Sequence, residues 1–122
     1  MNIYKYASLI LLILTSSVSN AQSMSDAELD QLLSQKFKTS TFYIEQGTRL
    51  INLDRPESTD FEAVIQNFCN SNKALSEIKV IAIQYPQVPR DIFNKANVNY
   101  QDGIAMINQL KEMSPKKIEC NK

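Results

Sequence analysis

Apolar or small residues recur every three or four positions along three stretches of the chain, and this period constrains the fold more than any other feature. In the first stretch these residues are Leu29, Leu33, Phe37, Thr41, Ile44, Thr48 and Ile51. In the second they are Phe61, Ile65, Phe68, Asn72, Leu75, Ile78 and Ala82, and in the third Phe93, Ala96, Tyr100, Gly103, Ile107 and Leu110. Such spacing places the residues on one face of an α-helix. The sequence therefore predicts three helices, each with one apolar face.

Capping residues and prolines mark where these helices begin and end. Residues 25–28 (Ser-Asp-Ala-Glu) and 59–62 (Thr-Asp-Phe-Glu) are capping boxes, whose side chains bond to backbone N–H groups at a helix start. The first helix must end by residues 54–56, because the residue before a proline avoids the helical region, and the segment 85–89 with its two prolines separates the second helix from the third. Hydroxyl and β-branched residues near Thr39 weaken helix propensity and would divide the first helix in two. We therefore expect an all-α fold, a small up-down three-helix bundle, or a four-helix bundle if that break occurs.

The first 21 residues have the pattern of a cleaved secretory signal peptide. A polar start with Lys5 precedes an apolar run at residues 9–14, and residues 19–21 (Ser-Asn-Ala) form a small-x-small cleavage pattern. The run is too short to span a bilayer, which takes about 20 residues, and no cysteine follows it to carry a lipid anchor. We expect a single helical domain at 22–122, periplasmic or secreted, with no membrane anchor after signal cleavage.

The two cysteines, Cys69 and Cys120, both lie in the expected mature domain. An exported chain reaches an oxidising compartment, where an even number of cysteines usually forms disulfides, and here only one intramolecular pairing exists. A bridge between them would close a loop of about 50 residues and stabilise the fold by roughly 4 kcal/mol. It would also hold the polar C-terminal tail against the second helix. Free thiols or an intermolecular bridge are the alternatives.

The composition argues against several kinds of catalytic site, metal site and binding partner. The chain has no histidine, which excludes Ser-His-Asp and Cys-His arrangements and leaves a zinc site with carboxylates and cysteines alone. Its two glycines, Gly47 and Gly103, cannot form a Gly-rich phosphate loop, and each is expected to mark close packing of two helices. Without Lys5 the 13 basic residues become 12 against 13 acidic ones, a net charge of −1. That balance gives no reason to expect nucleic acid or an anionic membrane as partner.

Carboxylates are the remaining candidates for catalysis. Two groups stand out, and their members are Asp26, Glu28, Asp30, Glu57, Asp60 and Glu62. All of them lie at predicted helix starts, where an acidic side chain stabilises the positive end of the helix dipole without any substrate. We therefore expect no catalytic residue, no cofactor and no metal ion, and a protein that is not an enzyme.

The Pro-containing turn at 85–89 is the best candidate for contact with a partner. Tyrosine is favoured at interfaces because it is large, rigid and half polar, and the candidate contact residues are Tyr43, Tyr85, Gln87 and Tyr100. The alternative is a Pro-stiffened turn in which Tyr85 covers the end of the core.

A disulfide-bonded scaffold without catalytic residues favours a protein-binding role. In size, export signal, helical pattern and single disulfide the chain resembles two groups of bacterial periplasmic proteins, the immunity proteins that neutralise toxins and the small acid-stress chaperones. The resemblance lies in architecture and no motif residue carries it. It implies an immunity-type inhibitor whose partner is another protein, such as a toxin or an envelope hydrolase, or alternatively a chaperone that exposes apolar surface at low pH. An apolar face that the bundle does not cover would also allow the chain to form a homodimer.

Overall fold

Three helices joined by short connections make up the part of the chain that the computed structural model describes, residues 24–121. The helices are α1 (Asp26–Arg49), α2 (Phe61–Gln84) and α3 (Arg90–Met113). One 3-10 turn, Pro56–Ser58, interrupts the first connection. The predicted all-α three-helix fold is confirmed, and α1 continues through Thr39 without the break that a four-helix form requires. The predicted signal peptide, residues 1–21, lies outside the described residues.

The helix starts follow the predicted capping residues, except for one displacement. The first capping box is confirmed, since Glu28 donates its N–H to Ser25 Oγ at 3.1 Å and its carboxylate accepts the Ser25 N–H at 2.9 Å. The second predicted box is wrong by one residue. Asp60 rather than Thr59 caps α2, and its carboxylate accepts an N–H of the first turn at 3.1 Å. The Thr59 hydroxyl instead accepts the N–H of Asn52 at 3.0 Å, so it is engaged by the connection.

The central helix α2 organises the core, because its backbone packs closely along both α1 and α3, whereas α1 and α3 meet mainly through side chains near the turn at 85–89. Most of its buried apolar residues belong to two clusters at opposite ends of the bundle. The cluster near the turn at 85–89 consists of Leu29, Leu33, Leu75, Ile78, Ile81, Tyr85, Val88 and Ala96. The cluster at the other end consists of Val64, Ile65, Phe68, Cys69, Ile107, Leu110 and Ile118. Apolar burial on two sides of one helix therefore carries most of the stability of the fold.

The buried face of α1 differs from the predicted one after its second turn. Three predicted core positions are exposed, namely Thr41, Ile44 and Thr48. Ser40 and Gly47 are buried in their place. The Ser40 hydroxyl bonds to the buried Ser71 hydroxyl of α2 at 2.6 Å, and a Cβ at Gly47 would lie 3.2 Å from the Phe68 ring. Small residues thus face α2 because the two backbones approach closely there, which confirms the packing role expected for Gly47.

The buried pair of hydroxyls gives a test of this helix contact. Replacing Ser71 with Ala leaves the Ser40 hydroxyl buried without its partner, so we expect the free energy of unfolding to fall by about 1–3 kcal/mol. The double variant S40A/S71A removes both polar groups and should lie close to wild type. Urea unfolding of the single and double variants measures both values. A double variant as unstable as the sum of the two single ones would contradict the pairing.

The predicted disulfide between Cys69 and Cys120 is confirmed, with 5.7 Å between the two Cα atoms. It fastens the tail that follows α3 against α2, as expected. Ile118 of the tail is only 5% exposed and belongs to the second core cluster. The Gln66 side chain holds the tail backbone twice, by donating to the carbonyl of residue 119 at 2.7 Å and accepting the N–H of residue 121 at 2.9 Å.

Candidate functional site

The connection between α2 and α3 is a tight turn in which two exposed side chains lie between two buried ones. The N–H of Val88 donates to the Tyr85 carbonyl at 2.9 Å, and Pro86 occupies the position of the turn that proline favours. Tyr85 and Val88 are each only 8% exposed and belong to the first core cluster, whereas Pro86 and Gln87 are exposed at the tip. Pro89 then caps the start of α3. The two buried side chains make the turn a rigid support for the exposed ones.

Beside this turn lies a cleft of about 710 Å³ between the end of α2 and the start of α3, which we call the turn cleft. Its lining residues are Ala82, Ile83, Pro86, Gln87, Val88, Pro89, Arg90 and Phe93. Six of these eight are apolar. Ile83 is 71% exposed and Phe93 is half-buried, so a large aliphatic and an aromatic side chain face solvent in one concavity. An exposed apolar concavity of this kind is the usual form of a binding site.

The charges at the turn cleft are cationic. Arg90 is the one charged residue of the lining. Next to the cleft the Lys79 ammonium lies 5.9 Å from the centroid of the Phe93 ring and 4.3 Å from that of Tyr100. Within residues 24–121 neither cation forms an ion pair with a carboxylate. The cleft thus combines apolar walls with one lining cation and one bordering cation, neither of which forms an ion pair within residues 24–121.

The four predicted contact residues do not form one surface. Gln87 lines the turn cleft, and Tyr100 lies on the adjoining face of α3 beneath the Lys79 ammonium. Tyr85 is buried in the core and covers its end, as in the alternative interpretation of the turn. Tyr43 lies on α1 against the ring of Phe42, with 5.3 Å between centroids, and lines none of the described clefts. The structure therefore places Gln87 in the turn cleft, connects Tyr100 to its border only through Lys79, and separates Tyr43 from it.

A second cleft, of about 450 Å³, opens on the other side of the turn between α1 and α3. It shares Gln87 with the turn cleft, but its rim carries charges of both signs. Asp26 and Asp30 lie on the α1 side, and Lys95 on the α3 side places its ammonium 4.9 Å from the centroid of the Phe37 ring. Because this rim carries both negative and positive side chains, it gives no preference for an anionic or a cationic partner. In this respect it differs from the turn cleft.

Three of the six carboxylates considered for catalysis, Glu57, Asp60 and Glu62, line a cleft of about 360 Å³ at the far end of the bundle, whereas Asp26 and Asp30 line the second cleft. Each of these three has a partner within the chain. Glu57 lies 3.8 Å from Arg55, Glu62 lies 3.7 Å from Lys116, and Asp60 caps α2. Within residues 24–121 no three His, Cys, Asp or Glu side chains lie close enough to hold a metal ion, and no helix has the length and apolar content to cross a bilayer. Of these three acids only Asp60 is a helix cap, and the ion pairs of Glu57 and Glu62 are separate from capping.

Sequence reasoning missed the residues that define the turn cleft. It assigned Phe93 to the core, whereas the structure leaves it half-buried, and it gave Ile83, Lys79 and Arg90 no role. A signal for them does exist, because Lys79 and Ile83 are four residues apart and so share one face of α2, off its apolar stripe. The chain matches no family model, no curated protein and no solved structure.

Proposed function

We propose that the protein is a non-catalytic protein-binding module of the periplasm or the secreted fraction, and most concretely an immunity-type inhibitor. Its partner is another protein, a toxin or an envelope hydrolase, whose surface is occupied by contact with the turn cleft. The single observation that carries the proposal is the exposure of Ile83 beside Phe93 in a concave site on a rigid turn.

The physical support comes from what such a site offers to another protein. Side chains that are large, apolar and partly enclosed give most of the affinity at protein interfaces, because their desolvation is complete once a partner covers them. The cleft walls are two helix ends, and the turn between them is held by Tyr85 and Val88 in the core. A binding surface that is ordered before contact loses little conformational freedom on binding. The disulfide supports an oxidising compartment for the protein.

A substitution at Ile83 tests the proposal directly. Ile83→Asp places a charge in the middle of the apolar cleft, so we expect the affinity for the native partner to fall at least tenfold, the loss typical of an interface anchor. Val98→Asp is the matched control, because Val98 is also an exposed aliphatic residue, at 58%, but lies on α3 outside the turn cleft. Both variants should fold as the wild type does, since neither side chain is buried.

The measurement combines partner capture from the host's envelope and secreted fractions with calorimetric titration of the purified partner. The expected result is a stoichiometric partner retained by wild type and V98D and lost by I83D. For a toxin or hydrolase, its activity should fall when wild-type protein is added and persist with I83D. Equal affinity of I83D and V98D would remove the turn cleft from the proposal, and the lack of any stoichiometric partner would overturn the binding role itself.

A further inference from the structure

We infer that the turn cleft takes an acidic peptide segment, one in which an apolar side chain is flanked by carboxylates. This inference rests on the proposed function and specifies the chemistry of the partner at the same surface. The apolar side chain would fill the concavity between Ile83 and Phe93, and the carboxylates would lie towards Lys79 and Arg90.

Charge complementarity around an apolar centre favours this occupant. Arg90 lines the cleft and Lys79 borders it through the Phe93 ring, so the two cations lie at its edges rather than at a distance. No acidic residue belongs to the lining, although residues 24–121 carry 13 acidic side chains against 11 basic ones. A basic segment would therefore meet only repulsion at this site, whereas an acidic one would meet two cations without carboxylate partners. Complementary charge of this kind selects the partner and speeds its association.

The same features fit two other occupants less well. An anionic membrane surface attracts clusters of roughly four to eight basic residues on a broad face, whereas two cations here flank a concavity. A second copy of the chain would have to present an acidic apolar segment, and its best match, residues 60–62, is engaged within its own fold. Asp60 caps α2, Phe61 packs against the second core cluster and Glu62 pairs with Lys116. A segment from a different protein is the occupant that the shape and the charge favour.

Two synthetic peptides with opposite charge test the inference without knowledge of the native partner. One carries leucine and phenylalanine between glutamates, and in the other every glutamate is replaced by lysine. Titration of the full protein, followed by amide chemical shifts, should show the acidic peptide binding at least tenfold more tightly, with shifts at Ile83, Arg90 and Phe93. Raising the ionic strength should weaken its binding. The variant K79Q/R90Q should lose about fivefold to tenfold in affinity, and K38Q/K117Q, which removes two exposed cations elsewhere, should lose little.

The outcomes separate this inference from the proposed function. Equal binding of both peptides at the cleft would overturn the acidic preference and leave the cleft as a protein-binding surface. Shifts confined to other residues, or no binding of either peptide, would overturn the inference, while the I83D capture experiment would still decide the proposed function. If the wild-type protein sediments with phosphatidylglycerol vesicles and K79Q/R90Q does not, the inference is overturned in favour of a lipid surface. Dimerisation abolished by Ile83→Asp would overturn it in favour of a second copy. Circular dichroism of each variant confirms that the helices are retained.

Discussion

Replacing both cysteines with serine should lower the free energy of unfolding by about 4 kcal/mol. The bridge joins residues 51 apart in sequence, and closing a loop of that length removes conformational entropy from the unfolded chain in this amount. For a domain of this size that is a large part of the total stability. Urea unfolding of wild type and of C69S/C120S, followed by helical circular dichroism, measures the difference. Wild-type protein unfolded in the presence of a thiol reductant should give the same value as the double serine variant.

The position of the disulfide allows a second test, which measures local opening of the tail and partner binding and does not depend on global stability. The turn cleft lies at the opposite end of the bundle from Cys69 and Cys120, so a folded C69S/C120S protein should keep its binding properties. The tail should loosen, however, and the amide of Asn121, which donates to Gln66, should exchange with solvent faster. A loss of less than about 1 kcal/mol would contradict the loop-closure argument and assign the fastening of the tail to Ile118 and Gln66.

The element boundaries were predictable because local chemistry determines them. The Ser25 capping box and the turn at 85–89 each act within a few residues, and the structure places helix ends beside both. Pro56 lies within the first connection, because α1 already ends at Arg49. The disulfide was predictable for a different reason, since two cysteines allow one intramolecular pair. The failures concern contacts between helices. Periodicity favours apolar residues such as Ile44 for the core, but close approach of α1 to α2 selects Ser40 and Gly47.

The candidate site could be predicted only in part. The turn at 85–89 and Gln87 were identified from composition, because proline and exposed polar residues mark a connection. Ile83 and Phe93 were not, because an apolar residue at a helix end becomes core or surface according to how far the next helix overlaps it. That overlap depends on the packing of α2 against α3, which no local pattern encodes. The cationic character of the cleft has the same origin, since Lys79 and Arg90 come from different helices.

We expect the second large effect on stability from Gly103→Ala, because Gly103 of α3 packs directly against Asn72 of α2. A Cβ at this position would contact Oδ1 of Asn72 and lie 2.7 Å from its Cγ, nearer than atoms can pack. Asn72 is buried, and its amide donates to the carbonyl of Tyr100 at 3.2 Å, so it cannot move aside without losing that bond. We expect the free energy of unfolding to fall by about 3 kcal/mol through overpacking and a broken hydrogen bond. This loss outweighs the gain of about 1 kcal/mol in helix propensity.

Two comparisons isolate the cause of that loss. Gly47→Ala offers the same gain in helix propensity, but its Cβ would lie 3.2 Å from its nearest neighbours, so we expect a cost within about 1 kcal/mol. Asn72→Ala makes room beside Gly103, and the double variant N72A/G103A should therefore be more stable than the sum of the single losses predicts. Thermal and urea unfolding of the four variants measure the coupling. If G103A is as stable as wild type, α3 must lie farther from α2 than in this structure. The Lys79 ammonium would then lie more than 4.3 Å from the centroid of the Tyr100 ring.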